Sequence, residues 1–245
     1  MSRSWESWWE RDGEVNFMRR PGAENHPIRV RMSEEAAKVG GSVLDVGCAT
    51  GIDYPRLKRL GLKYTGVDVT NKFILRAKEL YPEIDVRVAN ALDLPFSDGS
   101  FDVVFSNGMI QHLAPNEYPK ALREMWRVAR KLLLVSTNRQ FIYSDAELIS
   151  KMNDEKGAYV NNYNFWKFME HLNALPDADV NLFQGFMTME DRMRPGYPFL
   201  RCPKCKAILS PFLNKLLMGW DKCWSLFIIY NKKLIQPLCE GLDHG

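Results

Sequence analysis

The segment VLDVGCATG, residues 43–51, constrains the fold of this chain more than any other stretch. Its apolar residues predict a buried strand, and Gly47 and Gly51 then interrupt the chain before a helical pattern begins at Tyr54. Glycine lets the backbone approach a ligand closely, and the first turn of a helix has unpaired N–H groups. A strand, a glycine turn and a helix in this order predict a site for a nucleotide-like ligand.

Two acidic residues refine the prediction of the ligand. Asp68 lies near the end of the next strand, KYTGVDV, where a carboxylate can accept both hydroxyls of a ribose. The turn itself departs from the dinucleotide pattern G-x-G-x-x-G, because Ala49 occupies the place of a middle glycine. Asp45 precedes the turn, and a carboxylate there disfavours a pyrophosphate and favours a ligand that carries an ammonium group.

Residues 42–137 alternate between strand and helix patterns. Strands are predicted at 42–46, 63–68, 84–90, 101–107 and 131–137, with helices at about 53–60, after Thr70 and at about 117–130. Such a run of β–α units predicts an α/β fold with a doubly wound, mostly parallel sheet and ligands at the carboxyl ends of the strands. A separate helix is predicted upstream, from Ser33 to Gly40.

Several segments together resemble one enzyme family. The pattern D-x-G-x-x-x-G with an acidic residue after the next strand resembles motif I and the ribose acid of class I S-adenosylmethionine (SAM)-dependent methyltransferases. ANALDLPFSDGSFDVV (89–104) is similar to the third and fourth motifs of small-molecule, type 11-like methyltransferases, although Asn90 replaces the usual Asp. REMWRVARKLLLVST (123–137) resembles the family's E-x-x-R-V segment without its Pro-Gly-Gly turn. The resemblance covers residues 42–137.

The resemblance implies SAM as cofactor, S-adenosylhomocysteine as product, and a seven-stranded sheet whose last strand is antiparallel. It also implies a set of cofactor-binding positions. The residues expected around the methionine part are Asp45, Gly47, Cys48, Ala49 and Gly51; around the ribose and adenine, Asp68, Val69, Asn90, Ala91 and Leu92; and beside the sulfonium, Asn107 and Gly108.

The methyl acceptor is expected beyond the fourth strand, where His112 lies. Imidazole titrates near neutral pH, so His112 is the candidate catalytic base, and the alternative is a histidine that packs or forms structural hydrogen bonds. His26, His171 and His244 have no motif around them and are expected at the surface. Tyr143, Tyr159 and Tyr163 either line the acceptor pocket or belong to the core.

The chain after residue 137 loses the regular alternation. The stretch 141–175 predicts a helix, a loop and a second helix, within an acceptor-side helical region at 138–179. Strands six and seven are predicted at 180–189 and 224–233. Residues 190–223 are longer than a plain connection and are interpreted as an insertion that shapes the acceptor side.

Residues 1–32 precede the predicted sheet and place Trp5, Trp8 and Trp9 on one helical face. This segment either packs its aromatic face on the core or forms a lid that shelters a sulfonium cation.

The cysteines raise the possibility of a metal site. Cys202 and Cys205 form one C-x-x-C pair, which is half of a zinc site. Cys223 and Cys239 could complete it, but there is no second C-x-x-C, so free thiols and no metal are expected.

Composition narrows the classes of function. The chain has 245 residues, which fits a single domain, and its net charge of +3 is far below that of a dedicated nucleic-acid binder. It has no secretory signal and no apolar run of membrane-spanning length, so a cytoplasmic protein is expected that does not span a membrane and does not bind DNA.

Three functions remain open. The first is a methyltransferase acting on an oxygen or nitrogen of a small molecule. The second is an RNA-modifying methyltransferase, although the sequence after strand four, SNGMIQ, lacks an Asn/Asp-Pro-Pro-aromatic motif. The third is a non-catalytic SAM sensor or partner subunit.

Overall fold

The computed structural model describes residues 23–114, 116–137, 148–153, 158–186, 200–202 and 223–234. The helices in these ranges are α1 (Pro27–Val39), α2 (Tyr54–Arg59), α3 (Asn71–Leu80), α4 (Tyr118–Val128) and α5 (Phe165–Asn173), with 3₁₀ turns at Ala23–Asn25 and Ile110–His112. The strands are β1 (Ser42–Val46), β2 (Lys63–Asp68), β3 (Val86–Val88), β4 (Phe101–Asn107), β5 (Ala129–Thr137), β6 (Leu148–Asn153), β7 (Ala158–Tyr163), β8 (Ala178–Phe186), β9 (Leu200–Cys202) and β10 (Cys223–Asn231).

The main sheet has the strand order β3-β2-β1-β4-β5-β10-β8-β9. The pairs that link β3, β2, β1, β4 and β5 are all parallel. Strand β10 is antiparallel to both of its neighbours, β5 and β8. The doubly wound sheet with an antiparallel last strand is therefore confirmed. Strand β9, from the segment interpreted as an insertion, adds a short antiparallel edge beside β8.

Two cores cover the two faces of the sheet, because side chains alternate along each strand. Leu44 and Val46 of β1 belong to the core that includes residues of α4 and α5. Val43 belongs to the opposite core, which includes residues of α1, α2 and α3. Five helices in the described ranges thus hold the sheet rigidly from both sides and fix the positions of its strand ends.

The predicted start of the first helix is wrong. Helix α1 begins at Pro27, and the Nδ1 atom of His26 caps it by accepting a hydrogen bond from the Ile28 N–H at 3.3 Å. Proline suits the first helical position because its missing N–H would have no partner there. Ser33, the expected cap, is buried inside the helix, where its hydroxyl donates to the Arg29 carbonyl at 2.7 Å. His26 is therefore a helix cap.

The predicted helix–loop–helix at 141–175 is wrong in its first part. Strands β6 and β7 form an antiparallel hairpin whose register runs from Leu148 opposite Tyr163 to Asn153 opposite Ala158. The apolar residues in this stretch suit either a helix or a strand, and the pairing between the two segments favours strands. The second predicted helix is confirmed as α5.

An ion-pair cluster closes the amino end of the sheet around Asp102. Its carboxylate accepts hydrogen bonds from the Ser42 N–H at 3.0 Å and the Ser42 hydroxyl at 3.1 Å. It also forms ion pairs with Arg130 and Lys131. Burial alone would raise the pKa of Asp102, but the hydrogen bonds from Arg130, Ser42 and Lys131 hold this pKa well below its usual value.

Several sequence predictions fall outside the described residues. These are the tryptophan segment at 5–9, most of the insertion at 190–223, and two of the cysteines, Cys205 and Cys239. Within the described ranges, no helix has the length and hydropathy needed to cross a membrane.

Candidate functional site

The glycine turn after β1 is fixed against the end of β2. The Gly47 and Cys48 N–H groups both donate to the Val67 carbonyl, at 2.8 and 3.0 Å. Gly47 has a φ of 78°, and an added Cβ would lie 2.6 Å from the Cβ of Met109. The turn therefore requires glycine at this position, both for its backbone conformation and for the close approach of the segment after β4.

Asp68 links the glycine turn to the loop after β2. Its Oδ2 atom accepts the Ala49 N–H at 3.0 Å, and its Oδ1 atom accepts the Thr70 N–H at 2.9 Å. Burial raises the pKa of Asp68, and the two backbone N–H groups counteract this effect. Each carboxylate oxygen has a second lone pair, so Asp68 can hold the turn and still accept ribose hydroxyls.

Asp45 is buried beneath the turn. The Tyr64 hydroxyl donates to its Oδ2 atom at 2.9 Å. Burial raises the pKa of Asp45 well above its usual value, and the nearby Asp53 carboxylate raises it further. Cys48, expected beside the methionine part of the cofactor, is buried next to this pair, and burial raises the pKa of its thiol.

An ion pair at the site, between Arg29 of α1 and Asp53, is not predicted by any sequence pattern. Asp53 is buried, and burial raises its pKa while the Arg29 and Arg56 guanidinium groups oppose this rise. An aspartate just before a helix is normally interpreted as a cap, but Asp53 makes no side-chain capping bond to α2. That absence is visible only in the structure, and so is the contact with Arg29.

Three carboxylates therefore surround the glycine turn in a low-dielectric environment: Asp45, Asp53 and Asp68. Among these three, only Asp53 forms an ion pair in the described part of the chain. A cluster of this kind repels phosphate and favours a cation. The structure thus agrees with the expectation of an ammonium-bearing ligand. In the sequence, Asp45 was the only one of these carboxylates that supported this expectation.

The segment after β4 meets the turn from the other side. The Ser136 hydroxyl donates to the Oδ1 atom of Asn107 at 2.7 Å, and the Gly108 N–H donates to the Ser136 carbonyl at 3.1 Å. The Asn107 side chain lies close enough to Asp53 to lower the pKa of that carboxyl. Its buried Nδ2 atom has no hydrogen bond of normal geometry within the described residues. Because this amide already interacts with the Asp53 carboxylate, the Asn107 side chain is part of the polar surroundings of Asp53.

The residues expected around adenine lie at the edge of the site. Val69 follows β2 and is 58% exposed, so its side chain is accessible to a flat ring. Asn90 accepts the Leu92 N–H on its Oδ1 atom at 2.9 Å and forms a bridge with Asp93. Asn90 is therefore a turn residue in the structure, and its contact with adenine remains a prediction. Ala91 is partly buried in the same turn.

His112 ends a 3₁₀ turn at the carboxyl ends of β4 and β5. Its Nε2 atom lies 3.3 Å from the amide nitrogen of Gln111. The Thr137 hydroxyl donates to the Gln111 Oε1 atom at 3.2 Å. Tyr163 is buried and donates to the Ile110 carbonyl at 2.6 Å, so it belongs to the core and fixes this turn.

The structure brings most of the expected cofactor residues together. The Met109 side chain packs against Gly47, the Ala49 N–H donates to Asp68, and the Asn107 side chain interacts with Asp53. The ends of β1, β2 and β4 therefore form one continuous site. The residues fit SAM in two respects: a glycine turn without room for a side chain, and buried carboxylates around it. The metal prediction is untested, because Cys205 lies outside the described residues.

Comparison with known proteins is consistent with this geometry. Residues 44–132 match the family described as "Methyltransferase domain". A ubiquinone biosynthesis O-methyltransferase from Xanthomonas axonopodis pv. citri is 30% identical over 139 residues. This match covers 54% of the present chain and 56% of the relative, so the chain spans about half the length of that relative.

Solved structures extend the likeness to most of the fold. A SAM-dependent methyltransferase from Mesorhizobium loti superimposes with a TM-score of 0.58 at 15% identity, covering 85% of this chain and 98% of that one. A 1,6-didemethyltoxoflavin-N1-methyltransferase from Burkholderia thailandensis, solved with S-adenosylhomocysteine, gives a TM-score of 0.57 at 14% identity. That likeness covers 86% of this chain and 79% of the Burkholderia chain. Residues 44–132 are therefore similar to a methyltransferase domain, and the chain shares the fold of these solved methyltransferases.

Proposed function

We propose that this protein is a SAM-dependent methyltransferase that acts on a small molecule, with a hydroxyl of low pKa as the favoured acceptor. The observation that carries the proposal is the set of buried carboxylates around the glycine turn, with Asp68 at the end of β2. This arrangement suits a ligand that combines a ribose with a cationic amino-acid tail and does not suit a nucleotide phosphate.

The cofactor would supply a methyl group that its sulfonium charge already activates. The protein then has to bind, align and desolvate. Asp68 accepts the ribose hydroxyls while it keeps its bonds to the Ala49 and Thr70 N–H groups. Asp45 and Asp53 provide the negative field for the ammonium group.

Arg29 would bind the carboxylate of the methionine part. Its guanidinium pairs with Asp53 through one nitrogen, and its side chain is 19% exposed. A guanidinium has five N–H donors, so this ion pair leaves donors for a second carboxylate. Arg29 would therefore couple the amino-acid end of the cofactor to helix α1.

His112 would serve as the base for the acceptor. It ends the turn beyond β4 and is only partly buried, so it remains accessible. A base that titrates near neutral pH matches a phenolic or similarly acidic hydroxyl far better than an aliphatic alcohol. The relatives include one protein named as an O-methyltransferase and one named as an N1-methyltransferase, so an amine acceptor is the second candidate.

Calorimetry tests the cofactor part of the proposal. S-adenosylhomocysteine should bind with a stoichiometry near one, and 5′-methylthioadenosine, which lacks the amino-acid tail, should bind at least about tenfold more weakly because it loses charge-assisted hydrogen bonds. ADP is the matched control for a phosphate-binding turn. Binding of ADP in preference to S-adenosylhomocysteine would contradict the proposal.

Turnover assays test the acceptor part. Formation of S-adenosylhomocysteine is measured with catechol, with 4-nitrophenol and with a primary aromatic amine. The variant His112→Ala should lower kcat for catechol by about 10²–10⁴-fold, the usual range for general-base help. With 4-nitrophenol, a much stronger acid than catechol that is already partly ionised near neutral pH, the loss should stay below about tenfold. An unchanged kcat for catechol would show that His112 is structural.

A further inference from the structure

We propose that Glu124 and Arg127 of α4 are positioning residues for the adenine base of the cofactor, because they hold the turn at residues 90–93 in the shape that recognises the adenine amino group. The proposal rests on the proposed function, since it names the residues that make the same site selective for adenine. Both belong to the E-x-x-R-V segment, which is distant in sequence from the glycine turn. Neither side chain would touch the cofactor itself.

The Arg127 guanidinium has an acceptor for every one of its donors. Its Nε atom donates to the Oε1 atom of Glu124 at 2.9 Å, and its Nη2 atom donates to Oε2 at 2.9 Å. Three further bonds reach the Leu94 carbonyl at 3.0 Å, the Phe96 carbonyl at 2.8 Å and the Asp98 carboxylate at 2.8 Å. A guanidinium has five N–H donors in a planar fork, so lysine could not reproduce this set of contacts.

Glu124 holds the same loop from its other backbone group. Its Oε2 atom accepts the Leu94 N–H at 3.0 Å, while Arg127 binds the carbonyl of that residue. Hydrogen bonds from Arg127 lower the pKa of Glu124, against the opposing effect of burial, so Glu124 is an ionised acceptor. Leu94 is buried and belongs to no strand. Its backbone groups therefore depend on these two side chains of α4 for their orientation.

The 90–93 turn lies between this clamp and the end of β2. On the β2 side, the Ala89 N–H donates to the Asp68 carbonyl at 3.0 Å. Within the turn, the Oδ1 atom of Asn90 accepts the Leu92 N–H at 2.9 Å. The turn is thus joined at one end to the residue expected to bind the ribose, and at the other end to α4.

These contacts suit a positioning role better than a stabilising one. The Glu124 and Arg127 side chains are 18% and 31% exposed, and ion pairs accessible to water contribute little to stability. Their bonds to the loop backbone, in contrast, fix the direction in which the turn presents its polar groups. The Oδ1 atom of Asn90 has a second lone pair for the adenine amino group. Hydrogen bonds weaken steeply when they are misaligned, so a small movement of the turn would impair this recognition.

Calorimetry with two ligands tests the inference. S-inosylhomocysteine carries hypoxanthine in place of adenine, so the amino donor becomes a carbonyl acceptor. The wild type should bind S-adenosylhomocysteine at least about tenfold more tightly than this analogue, which leaves the acceptor of the turn unpaired. Arg127→Lys and Glu124→Leu should each reduce the preference at least about threefold, by weakening S-adenosylhomocysteine. Glu124→Gln keeps an oxygen for the Leu94 N–H and should retain more of the preference than Glu124→Leu.

Two control variants separate positioning from a general loss of stability. Asp98→Ala removes the exposed partner of Arg127 and leaves its bonds to the loop carbonyls. Trp126→Phe removes a hydrogen bond from α4 to the Pro176 carbonyl, made at 3.0 Å, and should destabilise the protein without touching the 90–93 turn. Both variants should keep the wild-type preference for adenine.

A preference that persisted in both Arg127→Lys and Glu124→Leu would overturn the inference, and so would an equal loss of preference in Trp126→Phe. A wild type that bound both ligands equally would overturn it as well, because the turn would then not recognise the amino group. A wild type that bound neither ligand would instead contradict the proposed function, and the two failures are thereby distinguishable.

Hydrogen exchange gives a readout that needs no ligand. The Leu92 N–H, whose bond to Asn90 closes the turn, should exchange faster in Arg127→Lys than in the wild type. The amides of β1 should exchange at their wild-type rates in this variant, because the clamp does not contact that strand. Unchanged exchange at Leu92 in Arg127→Lys would overturn the inference.

Discussion

The two ends of the sheet hold buried aspartates in opposite electrostatic states. At the amino end, Asp102 accepts hydrogen bonds from Ser42 and pairs with Arg130 and Lys131, and its pKa is well below the usual value. At the carboxyl end, burial raises the pKa of Asp45, Asp53 and Asp68. Residues of one type therefore stabilise one end of the fold and carry an electrostatic cost at the other.

The two ends differ in how their charges affect stability. A buried carboxylate with several charged partners favours its ionised form and stabilises the native state. A buried carboxylate with few partners costs stability until a cation arrives. The carboxyl end thus holds an unfavourable charge distribution that a cationic ligand would relieve, which is the expected pattern at a functional site.

The largest expected effect is that of Asp68→Ala on cofactor affinity. The change removes the acceptor of the ribose hydroxyls and leaves the Ala49 and Thr70 N–H groups without their partner. Hydrogen bonds to charged groups contribute about 1.5–3 kcal/mol each, so the Kd for S-adenosylhomocysteine should rise roughly 10–100-fold or more. Calorimetry measures this directly.

Asp98→Ala is the matched control for this experiment. Asp98 lies before β4, near the amino end of the sheet, and its side chain is 80% exposed in an ion pair with Arg127. Its removal should leave the Kd unchanged, because exposed pairs contribute little. Wild-type affinity in Asp68→Ala would remove the ribose assignment.

The converse experiment at the amino end is Asp102→Ala. This change leaves the Ser42 N–H and two cations without their acceptor, and should lower the free energy of unfolding by about 1–3 kcal/mol at pH 7. The affinity for S-adenosylhomocysteine should not change. Because the folded pKa of Asp102 is depressed, its stabilisation exists above the ordinary carboxyl pKa of about 3.9 and disappears as the pH falls through the folded value.

Denaturant unfolding at several pH values measures this effect. The difference between wild type and Asp102→Ala should be constant near neutral pH and shrink below about pH 4. A difference that persisted undiminished in acid would mean that Asp102 acts through packing and not through charge.

The third prediction concerns pH at the carboxyl end, where the sign is opposite. The folded pKa values of Asp45, Asp53 and Asp68 are raised, so ionisation of these groups opposes folding. The ligand-free protein should therefore gain stability as the pH falls from neutral towards the raised pKa values, above the range in which Asp102 loses its charge. SAM affinity should fall over the same interval, by up to about tenfold per pH unit for each proton displaced on binding.

Thermal unfolding with and without SAM tests this third prediction. The shift in Tm produced by SAM should shrink as the pH falls, in wild type and in Asp102→Asn alike. A SAM-induced shift that grew in acid would contradict the assignment of the carboxylate cluster to a cationic ligand.

The two ends also differ in how far the sequence predicts them. The bounds of β1, β2 and β4 agree residue for residue with the predicted strands, because each is a buried apolar run that ends at a turn or polar residue. The glycine turn and Asp68 were likewise recognisable, since their spacing is local. The contact between Arg29 of α1 and Asp53, which precedes α2, joins residues 24 positions apart, and no local pattern marks it.

The hairpin β6–β7 was missed for a related reason. Its apolar residues suit either a helix or a strand, and the choice depends on pairing between two segments. The hydrogen bond between Gln111 and Thr137 was missed because Thr137 lies at the end of a different strand, β5. Sequence patterns therefore predicted the parts of the site that form within one β–α unit, and the structure added those that form between units.

The smallest expected effect is that of Tyr163→Phe, which perturbs the carboxyl end without changing any charge. The change removes one buried hydrogen bond, from the Tyr163 hydroxyl to the Ile110 carbonyl, and should lower the free energy of unfolding by about 0.5–1.5 kcal/mol. The ring itself stays packed against Tyr118, with centroids 4.3 Å apart, so the core should persist. The pH dependence of stability should match that of wild type, because no titrating group of the carboxylate cluster has changed.

Denaturant unfolding and calorimetry of Tyr163→Phe complete the comparison. The Kd for S-adenosylhomocysteine should remain within about twofold of wild type, while kcat for catechol should fall a few-fold as the turn that carries His112 loosens. A large loss of cofactor affinity would mean that the 3₁₀ turn at Ile110–His112 is energetically coupled to the buried carboxylates around the glycine turn. The carboxyl end would then act as one unit, and the contrast between the two ends would be one of rigidity as well as charge.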